Sequence, residues 1–224
     1  MQTQTIPKTT FNLQQLDIPP GNAVRFRDIS WQDFESILAA MEDGYAVRFA
    51  YYEGTLEIKM PSAKHERDKS LLSDFVDILL EELDIDSECF GSTTLKRQMM
   101  QSGIEPDECF YIQNEPIVRG RTDLDFSIDP PPDLAIEIDN TSDSRLRFNS
   151  YQALGVGEVW RYDGIKIEIY VLGDEGYEKR DRSAIFPDIP IGDRFEEFLE
   201  QSRTLGRTKA LKAFRKWIRN TIEP

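Results

Sequence analysis

The sequence predicts an α/β fold, a mixed central β-sheet flanked by helices. Runs with strand periodicity and runs with helix periodicity alternate along the chain, in the order helix, strands, helix, strand. The 133–139 run is the most strand-like of all, with Leu134, Ile136 and Ile138 on one face and Asp133, Ala135, Glu137 and Asp139 on the other. The chain has 224 residues, 39% hydrophobic and 11% aromatic, which supplies one sizeable core with modest appendages.

Each element follows from local chemistry. Residues 1–22 are polar, carry Pro7, Pro19 and Pro20, and read as a flexible N-terminal arm. Ser30 then caps a helix over 31–43, with Asp33 three residues on and Gly44 as its end. Two apolar runs, 46–51 and 55–60, flank Glu53-Gly54 and read as an added N-terminal β-hairpin. A long helix over 63–83 follows, its stripe formed by Leu71, Leu72, Phe75, Val76, Leu79 and Leu80. The 88–111 segment is β-rich with a turn near Gln101-Ser102-Gly103. Its last strand, 107–112, alternates Asp107, Cys109 and Tyr111 against Glu108, Phe110 and Ile112.

Beyond the triple proline Pro130–Pro132 and the 133–139 strand, a helix spans 144–154 and Gly155 closes it. Strands 158–162 and 166–172 flank Asp163-Gly164, a hairpin turn. Two C-terminal helices, 194–202 and 208–219, complete the chain. The expected organisation is an arm (1–22), a main α/β domain (23–190) and a C-terminal helical extension (191–224).

Composition narrows the function. No apolar run approaches the ~18–20 residues of a membrane span, and the N-terminus lacks a charged-then-apolar leader pattern. Cys89 and Cys109 stand on separate segments without metal-binding or disulfide spacing, which fits a reducing cytoplasm. With one histidine besides, these residues do not readily make a zinc site. Phosphate-binding glycine loops, dinucleotide fingerprints and a nucleophile elbow are absent. The net charge of −14 argues against a broad nucleic-acid-binding surface, because phosphate contacts draw on a basic footprint.

Glu137 lies mid-strand among Ala and Ile, Asp133 opens the same strand after prolines, and Asp107 opens another strand after Pro106. A carboxylate in an apolar strand is costly unless paired or bound to a cation. Two on neighbouring strands can converge on Mg²⁺ or Mn²⁺, hard ions that take one or two carboxylates plus water and phosphate oxygens. Pattern alone leaves this open against an amphipathic strand whose polar face is solvated.

The run Glu105-Pro106-Asp107-Glu108-Cys109-Phe110-Tyr111-Ile112 resembles the proline-aspartate strand of the Uma-type restriction endonuclease family. So do Pro132-Asp133-Leu134-Ala135-Ile136-Glu137-Ile138-Asp139 and the continuation from Tyr151 to Tyr162 that contains Leu154-Gly155-Val156-Gly157-Glu158-Val159-Trp160. The likeness runs from about Trp31 to Asp188. It implies a restriction-endonuclease-like core of the PD-(D/E)xK superfamily and a metal-dependent DNA endonuclease. Asp107 and Glu137 would be its metal ligands and catalytic acids. The superfamily lysine that follows the second acid is Asp139 here, and the helix position that carries it in Uma-type sequences is Arg147. Arginine can clamp a phosphate but cannot serve as general base. Glu66, beside His65 at the start of the long helix, is a candidate third carboxylate; the alternative is a residue favoured there by the helix dipole. The substitution at Arg147 leaves a second reading, a weakened or inactive nuclease-like module that binds nucleic acid or protein.

The C-terminus reverses the charge. Arg203, Arg207, Lys209, Lys212, Arg215, Lys216 and Arg219 occur without an acid between them, around a stripe of Leu211, Phe214 and Ile218. This helix either guides DNA to the site or docks by its apolar stripe, its basic face offsetting an acidic neighbour or the partner in a homodimer.

Overall fold

The computed structural model describes residues 15–41, 47–139 and 144–222. Most of the N-terminal arm, Gly44 at the expected helix end and the first residue of the 46–51 strand lie outside the described residues. Two sheets are present, one more than expected. The larger is six-stranded and mixed, with the order β11-β10-β9-β8-β7-β4. Its members are β4 (Glu88–Cys89), β7 (Glu108–Tyr111), β8 (Leu134–Ile138), β9 (Glu158–Tyr162), β10 (Ile167–Gly173) and β11 (Gly176–Arg180). Among the described residues only β8 and β9 run parallel, and the helix between them, α4 (Arg145–Leu154), lies in the crossover that parallel strands require.

The hairpin of β2 (Arg48–Tyr52) and β3 (Thr55–Lys59) forms as expected. Glu53 and Gly54 both have positive φ, 44° and 82°, the twist that suits a two-residue hairpin turn. The hairpin is the centre of a larger antiparallel sheet. β1 (Ala23–Phe26) pairs with β3, β6 (Ser102–Ile104) with β2, and β5 (Leu95–Arg97) with β6. These added strands are three or four residues long, too short for a periodicity to stand out.

Helix α1 (Trp31–Met41) starts where its cap requires: Ser30 Oγ accepts from the Asp33 amide at 3.1 Å and donates to the Asp33 carboxylate at 2.6 Å. It buries Phe34, Leu38 and Met41 against the smaller sheet. Helix α2 (Ala63–Glu82) is capped by Ser62, whose side chain accepts from the His65 amide. A short helix, α3 (Glu115–Val118), went unforeseen, and α5 (Ile191–Leu205) begins three residues before its expected start. The last helix, α6, spans Arg207–Ile222.

One face of the six-stranded sheet is covered by α2, α5 and α6. Leu134, Ile136, Ile138 and Trp160 meet Phe75, Leu79, Phe195 and Phe214 there. Phe75 stacks on Phe214 at 4.5 Å, and Phe195 stands edge-on to both Phe214 and Trp160. The C-terminal helices thus share the main core. The other face is covered by α4 and the smaller sheet, where Ala135 and Val159 meet Ala50, Leu95, Ile104 and Tyr151. Every residue of β8 is consequently buried. The solvated-face reading of Glu137 is overturned, because a second sheet covers what looked like a polar surface.

The basic helix α6 docks on an acidic one. Arg207 pairs with Asp74, Arg215 with Glu81 and Glu82, and Arg219 with Glu82, all on α2. Surface pairs of this kind each contribute about 0–1 kcal/mol, so the buried aromatic cluster holds α6 and the pairs set its register. Lys209, Lys212 and Lys216 remain exposed.

Candidate active site

Strand pairing brings the two acids together. β7 and β8 are antiparallel with Glu108 opposite Ile136 and Cys109 opposite Ala135, so one further step sets Asp107 opposite Glu137. Asp107 is fully buried and Glu137 is 3% exposed. One oxygen of Asp107, Oδ2, accepts from the Ile138 amide at 2.7 Å and lies 2.9 Å from His65 Nε2. A carboxylate can only accept, so His65 donates from Nε2–H. Burial by itself would raise the Asp107 carboxyl. The His65 hydrogen bond and the charges of Lys59, His65 and Arg147 outweigh burial and hold it down to about 2. The other oxygen, Oδ1, is buried and accepts no hydrogen bond among the described residues.

Glu137 is fully engaged. Arg147, from the first turn of α4, donates through Nε at 2.8 Å to one oxygen and through Nη2 at 2.6 Å to the other. The Tyr151 hydroxyl, one turn further along α4, donates to the second oxygen as well. Burial, aided by the facing Asp107 charge, lifts the Glu137 carboxyl above the ordinary glutamate range against the opposing pull of Arg147. Arg147 is itself 3% exposed and also donates to the Glu105 carbonyl at 2.8 Å. Its Nη1 lies 3.9 Å from Glu57 Oε1 and makes no hydrogen bond among the described residues.

Glu66 stands at the rim with its side chain half exposed, 3.3 Å from His65 Nδ1 and 4.0 Å from Arg48. It meets Asp107 only through His65. The remaining strand acids have other partners. Asp133 accepts from the amides of Ile112 and Asn114 and from the Asn114 side chain, which ties the start of β8 to the turn after β7. Asp139 accepts from Ser144 and lies 3.8 Å from Arg161.

Sequence reasoning missed Lys59, Glu57 and Tyr151. Glu57 and Lys59 alternate with Leu56 and Ile58 along β3, which marks a polar strand face. Nothing local shows that this face is buried, yet Glu57 is 5% and Lys59 6% exposed. Tyr151 follows Arg147 by one helical turn, a spacing that could have linked them. Among the described residues no group of three or more His, Cys, Asp or Glu side chains is arranged to hold a metal ion.

The donor set nevertheless suits one hard divalent ion through Asp107. The carboxylate is held ionised, and its Oδ1 is buried without a partner among the described residues. Glu137 would join such an ion only after giving up part of its contact with Arg147 or Tyr151.

A sequence-family profile described as "Uma2: Putative restriction endonuclease" matches residues 31–200. A crystal structure described as a putative nuclease belonging to DUF820, from Anabaena variabilis ATCC 29413, is similar to this chain. Its TM-score is 0.45 and its identity 18%, over 73% of this chain and 90% of that one. No curated protein matches the chain.

Proposed function

Starting from the fact that the chain belongs to the Uma2 family of restriction-endonuclease-like proteins, we propose that it is a divalent-metal-dependent DNA endonuclease whose centre is formed by Asp107, Glu137 and Arg147. The observation that carries this reading is the unpartnered, buried Oδ1 of an ionised Asp107 directly across the strand pair from Glu137. Phosphodiester hydrolysis joins a water oxygen to phosphorus and breaks one bridging P–O bond, leaving a phosphate on one end and a hydroxyl on the other. Mg²⁺ or Mn²⁺ held by Asp107, with Glu137 as its second carboxylate, would supply Lewis acidity and a more acidic water.

The chain's own residues do the positioning. The Ile138 amide and His65 fix one Asp107 oxygen and leave the other facing the site. Arg147 cannot take a proton from water, but it orients Glu137 and keeps one guanidinium nitrogen, Nη1, for a phosphate oxygen. Glu66 lies at the rim, 3.3 Å from the Nδ1 side of His65, and pairs with it when the ring carries a second proton.

The test is nicking of supercoiled plasmid by purified protein with Mg²⁺, with Mn²⁺ and with chelator. Metal-dependent nicking is expected, with a loss of at least about 10²–10³-fold in Asp107→Asn and Glu137→Gln proteins. Nicking that persists unchanged in both variants, or none from the parent protein with either ion, refutes the reading.

One observation favours a second reading, a weakened module that binds nucleic acid without cutting it: both Glu137 oxygens are closed by Arg147 and Tyr151. Arg147→Lys separates the two. A lysine makes one point contact where arginine makes a fork, so it frees a Glu137 oxygen. Nicking that rises in this variant supports a weakened enzyme, and nicking absent from both proteins supports a binding module.

A further inference from the structure

Lys59 is a buried lysine with no ion-pair partner among the described residues. Its side chain enters the centre from β3, a strand of the other sheet, and is only 6% exposed. Its ammonium makes one hydrogen bond, to the Ile138 carbonyl at 2.8 Å. An ammonium has three donors, so two remain unused among the described residues, and a buried charge with one neutral hydrogen-bond partner is expensive. The neighbouring Glu57 on the same strand face shows the ordinary solution, a 2.8 Å ion pair with Arg25.

The position of this charge is specific. The peptide unit that receives Lys59 also serves Asp107: the Ile138 amide donates to Asp107 and the Ile138 carbonyl accepts from Lys59. Lys59 acts through space on both Asp107 and Glu137, as Arg147 does. Among the described residues Asp107 Oδ1 and Arg147 Nη1 have no hydrogen-bond partner and the Lys59 ammonium has one, so three polar groups stand unfinished around one pair of carboxylates. Two of the three are cationic donors. A tetrahedral oxyanion with two non-bridging oxygens meets that pattern, and a neutral ligand does not.

We propose that Lys59 is a catalytic residue of this centre, its ammonium donating to a non-bridging oxygen of the scissile phosphate while Arg147 Nη1 takes the other. The proposal rests on the nuclease reading for the identity of the phosphate. Lys59 forms no covalent bond and transfers no proton in this role; it balances charge that grows on the phosphoryl oxygens as water attacks.

The test uses the full chain and three proteins: parent, Lys59→Met and Lys59→Arg. Thermal unfolding is followed against inorganic phosphate and against vanadate, and plasmid nicking is measured with Mg²⁺. Phosphate and vanadate are expected to raise the unfolding temperature of the parent in a saturable way, to lose that effect in Lys59→Met, and to keep part of it in Lys59→Arg. Nicking is expected to fall by about 10²-fold in Lys59→Met, mainly in kcat, because the contact strengthens as charge develops. Sodium chloride at matched ionic strength separates bound oxyanion from general salt stabilisation. A parent protein that nicks DNA while Lys59→Met keeps both its kcat and its oxyanion shift overturns the proposal and leaves the nuclease reading standing. A parent that nicks nothing but loses its oxyanion shift in Lys59→Met overturns the nuclease reading and supports Lys59 as an oxyanion ligand. Absence of any oxyanion shift in the parent also overturns the role of Lys59.

Discussion

Replacing Arg147 with methionine removes the counter-charge of Glu137 while keeping most of the side-chain volume. Three hydrogen bonds go, two to the Glu137 carboxylate and one to the Glu105 carbonyl. What remains around Glu137 is the Tyr151 hydroxyl, the more weakly acting charge of Lys59 and, across the strand pair, the like charge of Asp107. Stranding one partner of a buried pair in this way costs about 3–5 kcal/mol. For a domain of this size each kcal/mol lowers the unfolding temperature by about 2–4 °C, so a drop of about 6–20 °C is expected. A pH signature accompanies it. Of the causes left acting on Glu137, burial and Asp107 raise its carboxyl above the unfolded-state value and Lys59 lowers it, with burial the largest. A group raised on folding stabilises at low pH and loses that contribution as pH rises, so the deficit of Arg147→Met should shrink between pH 7 and pH 5. The assay is urea unfolding of the parent, Arg147→Met, Glu137→Gln and the double variant at both pH values. The double variant should be more stable than the sum of the single losses predicts, because the stranded carboxylate is gone. A loss below about 1 kcal/mol in Arg147→Met, or additive losses in the cycle, refutes the view that this pair is a buried unit.

Two further predictions concern stability outside the site. Gly103 on β6 lies under the ring of Phe34, and an added Cβ would sit 2.7 Å from Phe34 Cζ. Phe34 is fully buried and stacked on Tyr51 at 4.6 Å, so it cannot yield cheaply; Gly103→Ala should cost about 1–3 kcal/mol in thermal or urea unfolding. Burial by itself would raise the Glu168 carboxyl, but Lys179, Lys166 and Tyr170 hold it at about 2. A carboxyl lowered on folding stabilises above its unfolded range and loses that contribution as pH falls. The parent should therefore lose stability from about pH 5 downward, and Glu168→Gln should be less stable at pH 7 yet lose less on acidification. Parallel acid limbs for the two proteins would contradict this.

The elements that announce themselves locally were legible. The Ser30 cap, the Glu53-Gly54 turn, the α2 stripe and the alternation of β8 each depend on residues within one or two turns of each other. The oddness of Glu137 was legible too, because a charged residue among Ala and Ile breaks a pattern that any fold must respect. The short strands β1, β5 and β6 were not, since their pairing partners lie tens of residues away and supply most of the reason they are extended.

The sequence by itself determined the α/β class, the polar strand face carrying Glu137, and the family likeness that ties Asp107 to it. Only the tertiary structure decided that the register of β7 against β8 sets those two carboxylates opposite each other. It also decided that the smaller sheet buries the face they share. That burial sets the surroundings of the pair: it makes Arg147 the fixed partner of Glu137 and leaves Asp107 Oδ1 without one among the described residues. It also brings Lys59 to the Ile138 carbonyl, although its side chain comes from a strand nearly eighty residues earlier in the chain. Alternation assigns a residue to a face from its near neighbours. What covers that face depends on chain segments that meet only when the whole domain is folded, and the energy of a charge depends on that cover.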